Sequence, residues 1–321
     1  MADVAQRTTS WTVAVIPDLS GRTAVVTGAS AGIGIPTARL LAEHGARVVL
    51  ACRNVEKASG VAEAIRRSAP EAELRVVRLD LASMASVRLA AQELRELYGS
   101  IDLLINNAGT ACARPSRTED GFETTIATNH LGPFAFTGLL LDRLLAAPAG
   151  RIVSVSSNAS GWRNSGLELD DLFYERRRYR ALTAYAQSKL ANLMCVLEMQ
   201  RRLNGIGTAL VSVAARPGVA QSDFDQSLGP VFRRAARSPL RFVIDPFKQT
   251  TEMGALPTLR AAVDPEVRGG EFVGPTGRWK GFPVFEEPPA AARDPELAAR
   301  LWAESERLTG VRFDFEAAVG N

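Results

Sequence analysis

From Arg22 onward, short unbroken apolar runs alternate with amphipathic stretches of helical period, and this rhythm leaves few folds open. The runs are RTAVVTG (22–28), RVVLAC (47–52), LRVVRLDL (74–81), IDLLINNAG (101–109), RIVSVSS (151–157) and TALVSVAARPG (208–218). Between them lie GIGIPTARLLAEHG, VEKASGVAEAIRRS, MASVRLAAQELRELYG, GFETTIATNHLGPFAFTGLLLDRLL and ALTAYAQSKLANLMCVLEMQRRL. A strand that is apolar at nearly every position is buried on both faces, which is the habit of parallel sheets. Regular strand–helix alternation supplies the crossovers such a sheet needs. The pattern predicts one doubly wound α/β domain over 21–321, with about seven parallel strands flanked by helices, preceded by an irregular arm at 1–20.

Composition removes other classes. The chain has 321 residues, 46% of them hydrophobic, enough for a large core without disulfides or metals. Three cysteines (Cys52, Cys112, Cys195) with no CxxC argue for a reducing compartment. Two histidines, His44 and His130, form no familiar metal spacing with them. A net charge of +3 from 38 basic and 35 acidic residues is too balanced to argue for nucleic acid or an anionic membrane. No apolar run reaches the ~18 residues of a membrane span, and the N-terminus lacks the apolar core of a signal peptide. The expectation is a cytoplasmic protein.

The first run ends in Thr27-Gly28-Ala29-Ser30-Ala31-Gly32-Ile33-Gly34. Here Gly28 permits a tight turn, Gly32 lets backbone approach a pyrophosphate, and Gly34 lets helix pack on strand. The helix N-terminus then offers free N–H groups and a favourable dipole to phosphates. A glycine trio alone is weak; one lying between a strand and a helix is the context that marks a dinucleotide site in a Rossmann fold. The second run selects the cofactor. It has no Asp or Glu from Ala46 to Val55 and ends in Cys52-Arg53. Without a carboxylate for the ribose hydroxyls, a 2′-phosphate is not repelled, and Arg53 can pair with it. The expectation is NADP(H) in preference to NAD(H). Asp80, after the third run, either hydrogen-bonds the adenine amino group or caps a helix.

Tyr185 and Lys189 are spaced i,i+4 and project from one helix face. With four tyrosines and four lysines in the chain, chance would supply about 0.05 such pairs. A free phenol, with a pKa of about 10, exchanges protons poorly at neutral pH. An ammonium about 4 Å away contributes on the order of 4 kcal/mol at intermediate dielectric, enough to lower that pKa by up to about 3 units. The pair therefore predicts acid/base work at Tyr185.

Together these motifs resemble the short-chain dehydrogenase/reductases, and most closely their retinol dehydrogenase-like branch, from Gly21 to about Ser222. The tail, with Gly269-Gly270-Glu271-Phe272-Val273-Gly274-Pro275 and Leu301-Trp302, is similar to that branch too. The resemblance implies a catalytic tetrad of Asn129, Ser157, Tyr185 and Lys189. Asn129 would hold a relay water through its helix backbone, and Ser157 would orient the substrate oxygen. Ser156 is the alternative serine. It implies cofactor contacts at Gly28, Ser30, Gly32, Ile33, Gly34, Arg53, Asp80, Leu81, Asn107, Ala108, Gly109, Tyr185, Lys189, Pro217, Gly218 and Ser222, where Ser222 replaces the family's usual Thr. No metal is implied. Asn106-Asn107-Ala108-Gly109 matches the element that steadies the central sheet beside the cofactor, and Arg216 stands where the branch often has His. Relatives pair through helices matching 121–145 and 182–203, so a homodimer or homotetramer is an expectation.

Two segments interrupt the rhythm. Residues 158–181 form an active-site loop insertion containing Glu175-Arg176-Arg177-Arg178, and 219–249 form an apolar substrate lid with Phe224, Phe232, Phe242 and Phe247. The expected reaction is hydride transfer between NADP(H) and a carbonyl or alcohol of a small apolar molecule. The alternative is a catalytically silent NADP(H)-binding regulatory or scaffold protein, which would need the glycine loop but no tetrad.

Overall fold

Strand β1 (Thr23–Thr27) is buried at every residue, and β2 (Arg47–Cys52) at all but its first. Their side chains alternate between two cores. Ala24, Val26, Val48 and Leu50 join one, while Val25, Val49 and Ala51 join the other, as the period of two requires. The computed structural model describes residues 11–162, 166–218, 249–277 and 279–315. Six further strands complete the sheet: β3 (Leu74–Arg78), β4 (Leu103–Asn106), β5 (Arg151–Val155), β6 (Val211–Ala215), β7 (Phe272–Pro275) and β8 (Pro283–Glu286). Their order is β3-β2-β1-β4-β5-β6-β7-β8. The first seven are parallel, as the pattern predicts; β8 turns back antiparallel on β7 through a short hairpin.

On one face lie α1 (Gly34–Glu43), α2 (Val55–Ser68) and, later in the chain, Thr251–Val263. The other face carries α3 (Met84–Leu97), α4 (Gly132–Leu139), α5 (Leu141–Leu145) and α6 (Ala181–Ile206). We label Thr251–Val263 α7 and the last helix, Pro295–Thr309, α8. The long helix expected over 121–145 is broken: a turn at Thr124–Ile126 passes into a π-helix at Ala127–Leu131 before α4 and α5. Gly132 explains the close seat of this region, since a Cβ there would lie 2.2 Å from the Leu81 carbonyl oxygen.

The described part of the expected N-terminal arm is no loose segment, because Trp11, Ile16 and Leu19 are buried in the core that covers α1. The expected lid at 219–249 lies outside the described residues except for Gln249.

Candidate active site

Parallel strands deliver their C-terminal ends to one edge of the sheet, and the order reversal between β1 and β4 opens the crevice where ligands bind in this architecture. The residues picked out in the sequence collect along that edge. Gly28 and Gly32 take left-handed backbone, with φ of +67° and +54°. Gly34 opens α1, and a Cβ on it would lie 2.4 Å from the Gly28 carbonyl oxygen. Ser30 and Ile33 lie between these glycines, ahead of α1. Among the described residues no side chain caps α1, whereas Asn54 caps α2 and Ser83 caps α3. A phosphate fits this helix N-terminus.

The loop is braced from β4. Thr27 Oγ1 accepts the backbone N–H groups of Asn107 and Ala108, both at 3.0 Å, and Asn107 Nδ2 donates to the Thr27 carbonyl at 2.9 Å. Asn107 Oδ1 is buried without a hydrogen-bond partner among the described residues. An orphaned acceptor of this kind beside a glycine cradle fits a bound polar cofactor.

At the end of β2 the Cys52 thiol sits beneath the loop. Burial pushes it up, while hydrogen bonds from Ser30, Ala29 and Gly28 pull it the other way. Arg53 follows, exposed at the edge. Asp80 Oδ1 accepts from the Ala82 N–H at 3.0 Å, closing a small turn, so Ser83 and not Asp80 caps the helix. Leu81 is buried against Gly132.

The tetrad candidates converge. Ser157 leaves β5, and its hydroxyl is hydrogen-bonded to the Tyr185 phenol. Ser156 is committed elsewhere, its hydroxyl donating to the Lys189 carbonyl at 3.0 Å, which separates the two serines' roles. Lys189 is 4% exposed, and its Nζ donates to the Val155 carbonyl at 2.7 Å. A Cβ on Gly109 would lie 3.4 Å from both Lys189 Nζ and Asn129 Oδ1, which brings three predicted residues to one point. Asn129 grips Thr110 from both sides, accepting its N–H at 2.7 Å and donating to its carbonyl at 2.8 Å. It also donates to Ser188 Oγ at 2.9 Å, and Ser188 donates to the Tyr185 carbonyl at 2.7 Å. Asn129 lies within the π-helix, a distortion common at functional sites because it releases backbone groups from the regular ladder.

Electrostatics correct one expectation. The Tyr185 phenol is not lowered: burial pushes it up to about 12, opposed by the Ser157 hydrogen bond. Burial pushes the Lys189 ammonium down to about 8. The physical reason is desolvation of both groups. Moreover, Lys189 Nζ is 5.9 Å from the Tyr185 ring centroid and is held by the Val155 carbonyl.

Pro217 and Gly218 follow β6 at the same edge, and Ser222 lies outside the described residues. Residue typing missed Ser188, Gln187, Gln249 and Glu286, whose roles are hydrogen bonds across the fold. Spacing does hint at the first two, since both lie on the helix between Tyr185 and Lys189.

A Rossmann sheet with a glycine cradle, and a Ser-Tyr-Lys cluster at the ends of β5 and α6, define a short-chain dehydrogenase. The family model "short chain dehydrogenase" matches residues 22–168. Human retinol dehydrogenase 13 is 37% identical over 305 residues, covering 91% of this chain and 86% of that protein. Mouse polyprenol dehydrogenase is 41% identical over 300 residues, covering 92% and 86%. Among solved structures, an uncharacterized protein from Mycobacterium Paratuberculosis superposes with a TM-score of 0.79 at 38% identity, covering 96% of this chain and all of that one. The NADP complex of RhlG from Pseudomonas aeruginosa does so with a TM-score of 0.61 at 28% identity, covering 80% and 95%. The chain belongs to the short-chain dehydrogenase/reductase family of oxidoreductases, in its retinol dehydrogenase-like branch. No helix among the described residues is long and apolar enough to cross a membrane.

Proposed function

We propose that this protein is an NADP(H)-dependent reductase or dehydrogenase of a small apolar carbonyl or alcohol, with Tyr185 as acid/base. The observation that carries this reading is the Ser157–Tyr185 hydrogen bond beside the buried Lys189, next to the glycine loop. Gly28 to Gly34, Asn107 to Gly109 and Pro217-Gly218 would hold the cofactor, which when bound supplies or takes the hydride. Tyr185, which burial pushes further up, is protonated at neutral pH, the form required to donate a proton to a carbonyl oxygen as it gains charge. Ser157 holds that oxygen by a hydrogen bond. Lys189 Nζ, held by the Val155 carbonyl beside Gly109, would bind the ribose hydroxyls of the cofactor, and the Asn129 turn adjoins the route by which the tyrosine proton is replaced.

Arg53, exposed at the end of a β2 that lacks any acidic residue, supports the 2′-phosphate preference. RhlG, crystallised with NADP, is a neighbour consistent with it. The apolar substrate class is supported by the names of the relatives, a retinol and a polyprenol dehydrogenase.

The test is consumption of NADPH against retinoids, steroids, quinones, long-chain aldehydes and polyketide-like ketones, with Tyr185→Phe alongside. Wild type is expected to turn over at least one of these. Tyr185→Phe should bind NADPH normally while losing roughly 10²–10⁴-fold in kcat. A variant that keeps near wild-type turnover would falsify the role of Tyr185.

A further inference from the structure

The turn Pro217-Gly218 is held from outside the tetrad. Beyond the end of β6, the Arg216 N–H donates to the Val273 carbonyl of β7 at 2.8 Å. The Arg216 side chain, 6% exposed, makes a two-pronged ion pair with Glu286 at the end of β8. Glu286 stands opposite Phe272 in the hairpin register. Its carboxylate passes over Gly274, where a Cβ would lie 2.6 Å from Glu286 Cδ, so any larger residue would block the reach to Arg216.

A second tether lies at the tip of the hairpin. Gln249 is 7% exposed, and its side-chain amide works at both ends. Nε2 donates to the Pro217 carbonyl, and Oε1 accepts the Gly281 N–H at 3.2 Å. The Trp279 carbonyl oxygen would lie 2.5 Å from a Cβ on Gly218, whose φ of +68° also favours glycine. The hairpin is itself anchored from α7, where Arg260, 1% exposed, donates to the Pro283 carbonyl at 2.7 Å and pairs with Asp264 at 2.9 Å. A continuous polar strut thus runs from α7 through β8 and the hairpin tip to the backbone of Pro217.

We propose that Gln249 and the Arg216–Glu286 pair are positioning residues that set the Pro217-Gly218 turn for the nicotinamide end of the cofactor. This rests on the cofactor reading given above. Gln249 holds the backbone of the turn directly and the Arg216–Glu286 pair fixes the residue before it, and none of these contacts is to Tyr185, so they govern cofactor seating rather than proton transfer. They also account for the antiparallel strand, since β8 carries Glu286 and its hairpin carries Gly281.

Gln249→Met keeps the length of the side chain and removes both hydrogen bonds. We expect it to raise the KM for NADPH by about tenfold or more, the scale of a lost hydrogen bond with a partner left unsatisfied. The pH profile of kcat should stay that of wild type. Glu286→Ala should move KM the same way, and Glu286→Gln, which keeps an acceptor for Arg216, should restore part of the loss. If Gln249→Met does not fold, Gln249→Asn, too short to span both groups, carries the same test.

An NADPH KM within twofold of wild type for both Gln249→Met and Glu286→Ala overturns the proposal, as does a loss confined to kcat. Wild type that binds neither NADPH nor NADH in direct titration sinks the cofactor reading and this proposal with it. Wild type that binds, with variants that bind equally well, sinks the proposal alone.

Discussion

Arg177 donates to Gln187 Oε1 at 3.0 Å, tying the loop after β5 to the tyrosine helix two residues beyond Tyr185. The link is reciprocal, because Gln187 Nε2 donates to the Leu172 carbonyl at 3.1 Å. Behind it, Asp171 accepts the N–H groups of Glu175, Arg176 and Arg177 together with Arg177 Nε. These hydrogen bonds outweigh burial and hold the Asp171 carboxyl down at about 2. We expect the described part of the insertion, held in this way to the tyrosine helix, to act as a rim of the site. Gln187→Leu leaves a buried carbonyl and a guanidinium without this contact, which should cost roughly 1–3 kcal/mol. It should also raise the KM of the substrate more than that of NADPH. Urea midpoints and steady-state kinetics check both, and unchanged substrate KM would remove the rim from the specificity machinery.

Cofactor choice turns on the end of β2. Arg53→Asp places a carboxylate where ribose hydroxyls would be read and a 2′-phosphate repelled. We expect kcat/KM to fall at least about tenfold with NADPH and to rise with NADH, since one charge-assisted contact is worth about that much. Equal constants for the variant and wild type with both cofactors would withdraw Arg53 from recognition.

His130 predicts a pH dependence of stability. Burial pushes its imidazole down from 6.5 to about 4. Ser305 gives its one hydroxyl proton to the Leu301 carbonyl at 2.7 Å, so His130 Nε2 is the donor in its 2.8 Å bond to Ser305 Oγ. Between pH 6.5 and 4 the unfolded chain binds a proton that the folded chain does not, so stability falls on acidification through that window. The shift corresponds to about 3 kcal/mol. The stability difference between wild type and His130→Gln, followed by urea unfolding from about pH 7 to about pH 4, should narrow by an amount of that order. A constant difference would show that His130 does not titrate in this way.

Assembly is decided on α6. Residues 186–194 are all buried, so this stretch has no face turned to solvent within a single chain. Part of the cover is α8, whose Ala298 and Leu301 share a buried cluster with Leu190, Leu193 and Met194, and Arg202 further along α6 lies 4.6 Å over the Trp302 ring. The chain's own C-terminal helix thus covers part of α6. We expect light scattering on the full chain to give a mass near the 34.5 kDa of one copy. A stable dimer whose contacts map to α6 would contradict this.

Much of the site was legible because its chemistry is local in the chain. The glycine trio and the Tyr185–Lys189 pair each need only a turn or a helix to bring their residues together, and spacing reports that directly. Ser157 and Asn129 needed the family resemblance, since nothing local joins them to Tyr185. The break of the 121–145 helix into a π-turn was hidden because its apolar content is helical throughout; the close seat of Gly132 on Leu81 lies in a contact 51 positions away in the chain.

Pattern along the chain was sufficient for the parallel sheet, the helices between its strands and the edge where ligands bind, because burial on both faces and period two leave one arrangement. It could not assign the two serines, since only folding brings Ser156 to the Lys189 carbonyl and leaves Ser157 for Tyr185. Nor could it set the ionisation of the pair, because desolvation depends on what covers Tyr185 and Lys189 and not on their spacing. The strut from Arg260 through Glu286 and Gln249 to Pro217 belongs wholly to the folded state, its members being polar residues whose partners lie on other elements.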